Sequence, residues 1–117
     1  MTTKEIALAA AEALENKKGL GIRLLEVTDV TTLAEYFLIC TGTSNTHVNT
    51  LCDAVEAAME ERGETLFHRE GHRSGTWVLL DFGALVVHVF TEETRNFYDL
   101  ERLWNDASPV AFDYLEN

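Results

Sequence analysis

The chain has 117 residues, 46% hydrophobic and 25% charged, with one proline and seven glycines. That is enough for one core and too little for two, and it excludes disordered and collagen-like classes. Twenty acidic residues against nine basic ones give a formal charge of −11, which repels nucleic acid and leaves no run of Lys or Arg as a phosphate track. The charge suits solubility, and it equally suits attraction to a basic protein partner.

The first helix is announced by Thr2 and Glu5 at capping-box spacing, with Ile6, Ala10, Ala13 and Leu14 recurring at helical intervals. This opening, MTTKEIALAAAEAL, carries an early acid instead of a charged-then-apolar leader. Lys17 and Lys18 suit the negative end of that helix, and Gly19 suits a left-handed stop. GIRLLEV then reads as a strand, TTLAE as a turn or short helical piece, and YFLIC, residues 36–40, as a buried strand. Ser44 caps the next helix, whose apolar face is Val48, Leu51, Cys52, Val55 and Met59, and Gly63 ends it. No apolar run reaches the roughly 20 residues that span a bilayer, so no membrane association is expected. Cys40 and Cys52 lie outside any CxxC pair. They read as free, buried thiols of a cytoplasmic protein.

ETLFH is a weak strand and GHRSG a loop. TWVLLD and ALVVHVF are two strands around a tight turn at Phe82–Gly83. With a two-residue loop there, Asp81 faces Ala84, Leu79 faces Val86 and Trp77 faces His88. Alternation puts Trp77, Leu79, Asp81, Ala84, Val86, His88 and Phe90 on one mixed face. Val78, Leu80, Leu85, Val87 and Val89 form an apolar face that should meet the helices. His88 on the mixed face reads either as a hydrogen-bonded core histidine or as part of a recognition surface. Trp77 beside it reads as core or as an interface anchor.

Thr91 caps a last helix with Glu92 and Glu93 in its first turn, running to about Trp104 before DASP stops it. Phe97, Leu100, Leu103 and Trp104 cluster on one face. Tyr98 lies off it, near Arg95, Glu101 and Arg102, as a half-exposed tyrosine or a contact residue. The expected architecture is α/β, with a mixed sheet of about five strands flanked by helices. Residues 1–107 form a single domain, and residues 108–117 a short tail that packs on the body or frays.

Catalytic signals are sparse. TGTS between a strand and a helix faintly resembles an anion-binding turn, but it lacks the lysine of GxxxxGK[ST] and the spacing of GxGxxG. A nucleotidyltransferase would follow such a turn with paired aspartates. Only Asp53 follows here, on the helix, and the chain has no Asp-x-Asp. His68 and His72 with Glu70 make a weak metal set, lacking a Cys or third His nearby. Cys40 in an apolar strand suits packing better than attack. No Ser-His-Asp set assembles. No catalytic residue, metal or cofactor is expected.

YFLICTGTSNTHV, GTWVLLDFGALVVHVF and RNFYDLERLW together resemble the ribosomal silencing factor family, also called Iojap-like. The patterns W-x3-D-x-G-x4-H and R-x-x-Y-x-L-E-x-L-W are specific, and the match runs from the first helix to Trp104. The resemblance implies a nucleotidyltransferase-like fold without the catalytic carboxylates. It implies a translational repressor that binds the large ribosomal subunit through that subunit's ribosomal protein fourteen and blocks joining of the small subunit under nutrient limitation. It also admits a homodimer, and it implies no enzyme activity. Carried over by position, Trp77, Asp81, Gly83 and His88 match the family's hairpin. Arg95, Tyr98, Leu100, Glu101 and Trp104 match its last helix, and Thr41, Gly42 and His47 its turn. The implied partner-binding residues are Trp77, His88, Tyr98, Glu101, Asp81 and Arg95, while Gly83, Leu100 and Trp104 are structural. The chain departs from the family at Glu35, usually Asp, and at Ala84, commonly acidic. The alternatives are a large-subunit assembly factor, or a nucleotide-binding protein of degenerate nucleotidyltransferase type using Gly42–Ser44.

Overall fold

A computed structural model of the chain describes residues 2–28, 31–71, 76–98 and 108–110, with backbone only for 96–98 and 108–110. The elements run α1 (Thr3–Asn16), β1 (Leu20–Glu26), β2 (Tyr36–Gly42), α2 (Asn45–Glu61), β3 (His68–Glu70), β4 (Trp77–Asp81), β5 (Leu85–Thr91), α3 (Glu92–Tyr98) and β6 (Ser108–Val110). The strands form a mixed sheet of order β3-β4-β5-β2-β1-β6. Among the described residues only β2 and β5 pair in parallel, and the other neighbours are antiparallel. The expected α/β class with a mixed sheet is what the chain forms. A short sixth strand adds to the five read from sequence. It is the start of the tail, and it pairs Pro109 with Leu25 at the sheet edge. An edge tolerates a proline, which has no N–H to give the ladder.

Both long helices begin as their caps dictate. The Thr2 side chain accepts from the Glu5 amide at 3.1 Å, and Ser44 Oγ accepts from the His47 amide at 3.1 Å. Both end in the same hydrogen-bond motif. In α2, the Gly63 amide donates to Glu60 O and the Glu64 amide to Met59 O, with Gly63 at φ +73°. In α1 the left-handed residue is Lys18, at φ +63°, and not Gly19. Gly19 is required for space instead: a Cβ there would lie 2.5 Å from Cys40 Sγ.

α1 and α2 cover one sheet face. Ala7, Ala10, Ala11 and Leu14 from α1, and Val48, Leu51, Cys52, Val55 and Met59 from α2, are buried against it. Their sheet partners include Val78, Leu80, Leu85, Val87 and Val89, the face read from sequence as core. Burying each Leu, Val or Met contributes about 1.5–3 kcal/mol. Ile6 and Ala13, assigned to the buried stripe of α1, are only half-buried.

The hairpin register differs from the expected one. The turn is Gly83–Ala84, closed by the Phe82 amide donating to Leu85 O at 2.9 Å. Asp81 therefore pairs with Val86 and not Ala84, Leu79 with His88, and Trp77 with Phe90 and not His88. Gly83 at φ +89° supplies the backbone such a turn demands. Its amide donates to Asp81 Oδ1 at 2.8 Å, which draws the turn back over the strand.

Candidate partner-binding face

Directly paired strand residues share a sheet face. One row across the sheet runs Glu70, Leu79, His88, Ile39, and the next runs Trp77, Phe90, Thr41. A third runs His68, Asp81, Val86, Phe37, Leu25. These rows lie opposite α1 and α2. Leu25, Val27, Ala34, Ile39 and Phe90 are buried there as a second, smaller cluster, with Phe37, Trp77 and Val86 half-buried against it. Leu79 is also half-buried. The face is thus a partly exposed apolar band, with Glu70 and Asp81 on the β3–β4 side.

Trp77 is held from behind. Its Nε1–H donates to His88 Nδ1 at 3.4 Å, and its ring meets Phe90 edge-on at a centroid distance of 6.0 Å. Phe37 stands edge-on to His88 at 5.3 Å. Edge-to-face contacts at such separations are favourable and stiff. His88 itself is 5% exposed, and burial pushes its pKa down to about 4, so it is neutral at physiological pH. The imidazole therefore serves to orient the indole.

The remaining sequence-derived residues are placed as follows. Asp81 is half-buried and engaged with the Gly83 turn. Arg95 reaches back from α3: its Nη1 donates to Gly21 O at 2.8 Å and to Thr41 Oγ1 at 2.7 Å. Gly21, at φ +54°, lies where the β1–β2 register shifts by a bulge, which makes its carbonyl available to that guanidinium. Of Tyr98 only the backbone is described, at the end of α3. Glu101, Leu100 and Trp104 lie outside the described residues, as does His72. The structure thus brings Trp77, His88 and Asp81 onto one face, and it places Arg95 on Thr41, in the row of Trp77, as a tie between elements.

The TGTS turn is closed by its own bonds. The Thr43 amide donates to His47 Nδ1 at 2.9 Å, and His47 Nε2–H donates to Lys17 O at 2.8 Å. This pattern fixes the imidazole in the Nε2–H tautomer and makes it a brace between α1 and α2. A Cβ on Gly42 would lie 2.8 Å from Val48 Cγ2, so the strand end is pressed onto the helix, and the Thr43 and His47 amides of the turn are already engaged by His47 Nδ1 and Ser44 Oγ. Burial raises both cysteine pKa values to about 12, which keeps Cys40 and Cys52 as unreactive thiols. His68 Nε2 lies 2.5 Å from Glu70 Oε1, both exposed on β3. Among the described residues no three side chains form a metal-ligating group.

Sequence reasoning missed Phe37, Glu70 and Phe67 as surface features. Phe37 joins the face through the pairing of β2 with β5, a contact that no local pattern encodes. Phe67 is 68% exposed and lies over Gly83 at the hairpin turn. Nothing in its neighbours signals that exposure.

Fold and face define the class first: an α/β domain with one sheet face sealed by helices and the other presenting apolar and acidic side chains together. The chain belongs to the RsfS family, ribosomal silencing factor during starvation, whose family model matches residues 1–117. The name is that of a regulatory factor acting on the ribosome. The ribosomal silencing factor RsfS of Chromobacterium violaceum is 40% identical over 109 residues, 93% of this chain and 89% of that protein. A crystal structure of a protein from the same organism superposes with a TM-score of 0.88 at 39% identity, covering 97% of this chain and 93% of that one. The protein of Mus musculus called mitochondrial assembly of ribosomal large subunit protein 1 is 29% identical over 94 residues, 78% of this chain and 41% of that protein. No helix among the described residues is long and apolar enough to cross a membrane.

Proposed function

We propose that this chain is a cytoplasmic translational repressor that docks on ribosomal protein fourteen of the large subunit and sterically blocks the small subunit from joining when nutrients are scarce. Family membership supports the ribosomal target. The observation that carries the docking surface is the stiffly backed Trp77 within an apolar, acid-edged sheet face. Aromatic anchors in such settings dominate binding energy at protein interfaces. Trp77 is the contact residue, His88 its support, Asp81 part of the acidic edge and Arg95 the tie that holds α3 in place, with Tyr98 and Glu101 as further contacts. A domain of this size covers an interface of standard area on a protein partner, and its charge disfavours direct contact with rRNA. A homodimer would use the same apolar band, so self-association and docking would compete.

The test is co-sedimentation with separated subunits, paired with a joining assay. Large subunits alone should carry the protein down, and joining should fall in proportion. Trp77→Ala should weaken binding by tenfold or more at an unchanged far-ultraviolet circular dichroism spectrum. Equal binding by that variant would move the contact off this face.

The name of the mouse relative favours a second reading, a role in large-subunit assembly through the same contact. Subunit profiles from cells lacking the protein separate the two. A precursor peak marks assembly, whereas excess joined ribosomes in starvation mark silencing.

A further inference from the structure

Beside Trp77 the sheet edge opens into a cleft of about 310 Å³ lined by Glu70, Gly71, Trp77 and Leu79. That volume is at the small end of ligand-binding pockets, which run from about 300 to 1,000 Å³. Among the described residues its walls are of three kinds. Trp77 and Leu79 are apolar and half-buried, on successive face-sharing positions of β4. Glu70 pairs directly with Leu79 across the β3–β4 ladder, so its carboxylate rises beside that floor. Gly71 closes the back at φ +84°, with its Cβ position only 1.9 Å from Trp77 O. No residue with a side chain fits there, and the close approach sets Glu70 next to the tryptophan.

One oxygen of the carboxylate is engaged. His68 Nε2 engages Glu70 Oε1 at 2.5 Å, and Oε2 has no partner among the described residues. A carboxylate oxygen beside an indole and an aliphatic wall matches one side chain in all its parts. A guanidinium is planar, stacks on aromatic faces and donates to a carboxylate from the same plane, while its alkyl stem takes the apolar wall. An anion is refused by Glu70 and by the −11 charge of the chain. A purely apolar group would leave the carboxylate desolvated without compensation.

We infer that the Glu70–Trp77 cleft is a binding site for an arginine side chain of a basic protein partner. The inference rests on the reading of this face as the docking surface, but not on which protein the partner is. It gives the face a specificity element distinct from the aromatic cluster behind Trp77, and one that a lysine ammonium fits less well, being a compact, strongly hydrated charge that does not present a stacking plane.

The test needs no ribosome. The full chain, labelled with nitrogen-15, is titrated with blocked tripeptides Gly-Arg-Gly, Gly-Lys-Gly and Gly-citrulline-Gly, while the Trp77 indole resonance is followed. Trp77→Phe identifies that peak against Trp104. The arginine peptide should shift it saturably. The neutral citrulline peptide should bind about tenfold more weakly, as should the arginine peptide to Glu70→Gln, the loss expected for one charge-assisted hydrogen bond. Glu70 is exposed, so this variant leaves the fold intact. Equal response to arginine and citrulline, no effect of Glu70→Gln, or no saturable shift would overturn the site. Equal response to lysine would overturn its assignment to arginine. Co-sedimentation of the same variant separates this inference from the ribosomal one. Large-subunit binding without any arginine response removes the cleft alone. An arginine response without large-subunit binding removes the ribosomal reading and leaves the cleft.

Discussion

His88 is 5% exposed, with Trp77 Nε1–H directed at its Nδ1 and the Phe37 ring edge-on beside it. Burial there penalises the imidazolium and lowers the pKa from 6.5 to about 4. Protonating Nδ1 would also turn the acceptor of the indole bond into a donor. The consequence for stability has a definite sign. Above pH 6.5 neither the folded nor the unfolded chain holds the proton, and His88 makes no pH-dependent contribution. As pH falls from 6.5 toward 4, the unfolded state takes up a proton that the native state refuses, and stability drops. The full difference is about 3 kcal/mol, with no further loss once pH passes below the native value. Carboxylates titrate near the lower end of this window, so the comparison is with His88→Asn, which keeps an acceptor for Trp77 and has no proton to gain. Urea unfolding at pH 7, 6, 5 and 4 should show wild-type stability falling relative to that variant by about 3 kcal/mol across the window. Parallel curves would mean that His88 is not held neutral by its surroundings.

α1 stops on a lysine where α2 stops on a glycine, although the two helices close with the same pair of backbone hydrogen bonds. A side-chain-bearing residue in the left-handed region costs about 1–2 kcal/mol. Glycine removes that cost but adds about 0.5–1 kcal/mol of unfolded-state entropy. Lys18→Gly should therefore stabilise the domain by about 0.5–1 kcal/mol, raising Tm by up to about 4 °C in a calorimetric scan. An unchanged or lowered Tm would show that the Lys18 side chain contributes as much as its backbone strain costs. This site also marks the limit of what the sequence discloses about elements. Thr2, Ser44 and Gly63 act through their own neighbours, so the starts of α1 and α2 and the end of α2 were readable. Gly19 looked like a stop because glycine commonly is one, but its reason is the Cys40 sulfur across the core. The hairpin register was displaced by one turn position, yet the faces came out right. Moving the turn by one residue shifts each pairing by two, and alternation has a period of two. Trp77 and His88 therefore stayed on one face while ceasing to be direct partners, and Glu70 reached them only through the β3–β4 pairing. The neighbours β2 and β5 are far apart in the chain, and β6 is three residues around a proline. Neither pairing leaves a periodic trace.

At the scale of the molecule the dominant property is charge. A chain at −11 approaching a ribosomal subunit meets two opposed fields: phosphate, which repels it, and basic ribosomal protein, which attracts it. Which field governs depends on what lies within a Debye length of the contact, about 10 Å at 0.1 M salt and about 3 Å at 1 M. If the acid-edged face with Glu70 and Asp81 docks on a basic protein surface, adding salt screens a local attraction and weakens binding. If the chain instead rests mainly against rRNA, salt screens a repulsion and strengthens it. The sign of the salt dependence thus reports the chemistry of the partner surface without a structure of the complex. Association and dissociation with purified large subunits should be followed from 0.05 to 0.5 M KCl at constant Mg²⁺, with Mg²⁺ held high enough to keep the subunits intact. The association rate should fall by about tenfold or more over that range, because steering acts on encounter, while dissociation changes less, because the apolar band around Trp77 is little affected by screening. A rate that stays flat or rises with KCl would remove basic protein as the docking surface, however well the chain co-sediments with the subunit.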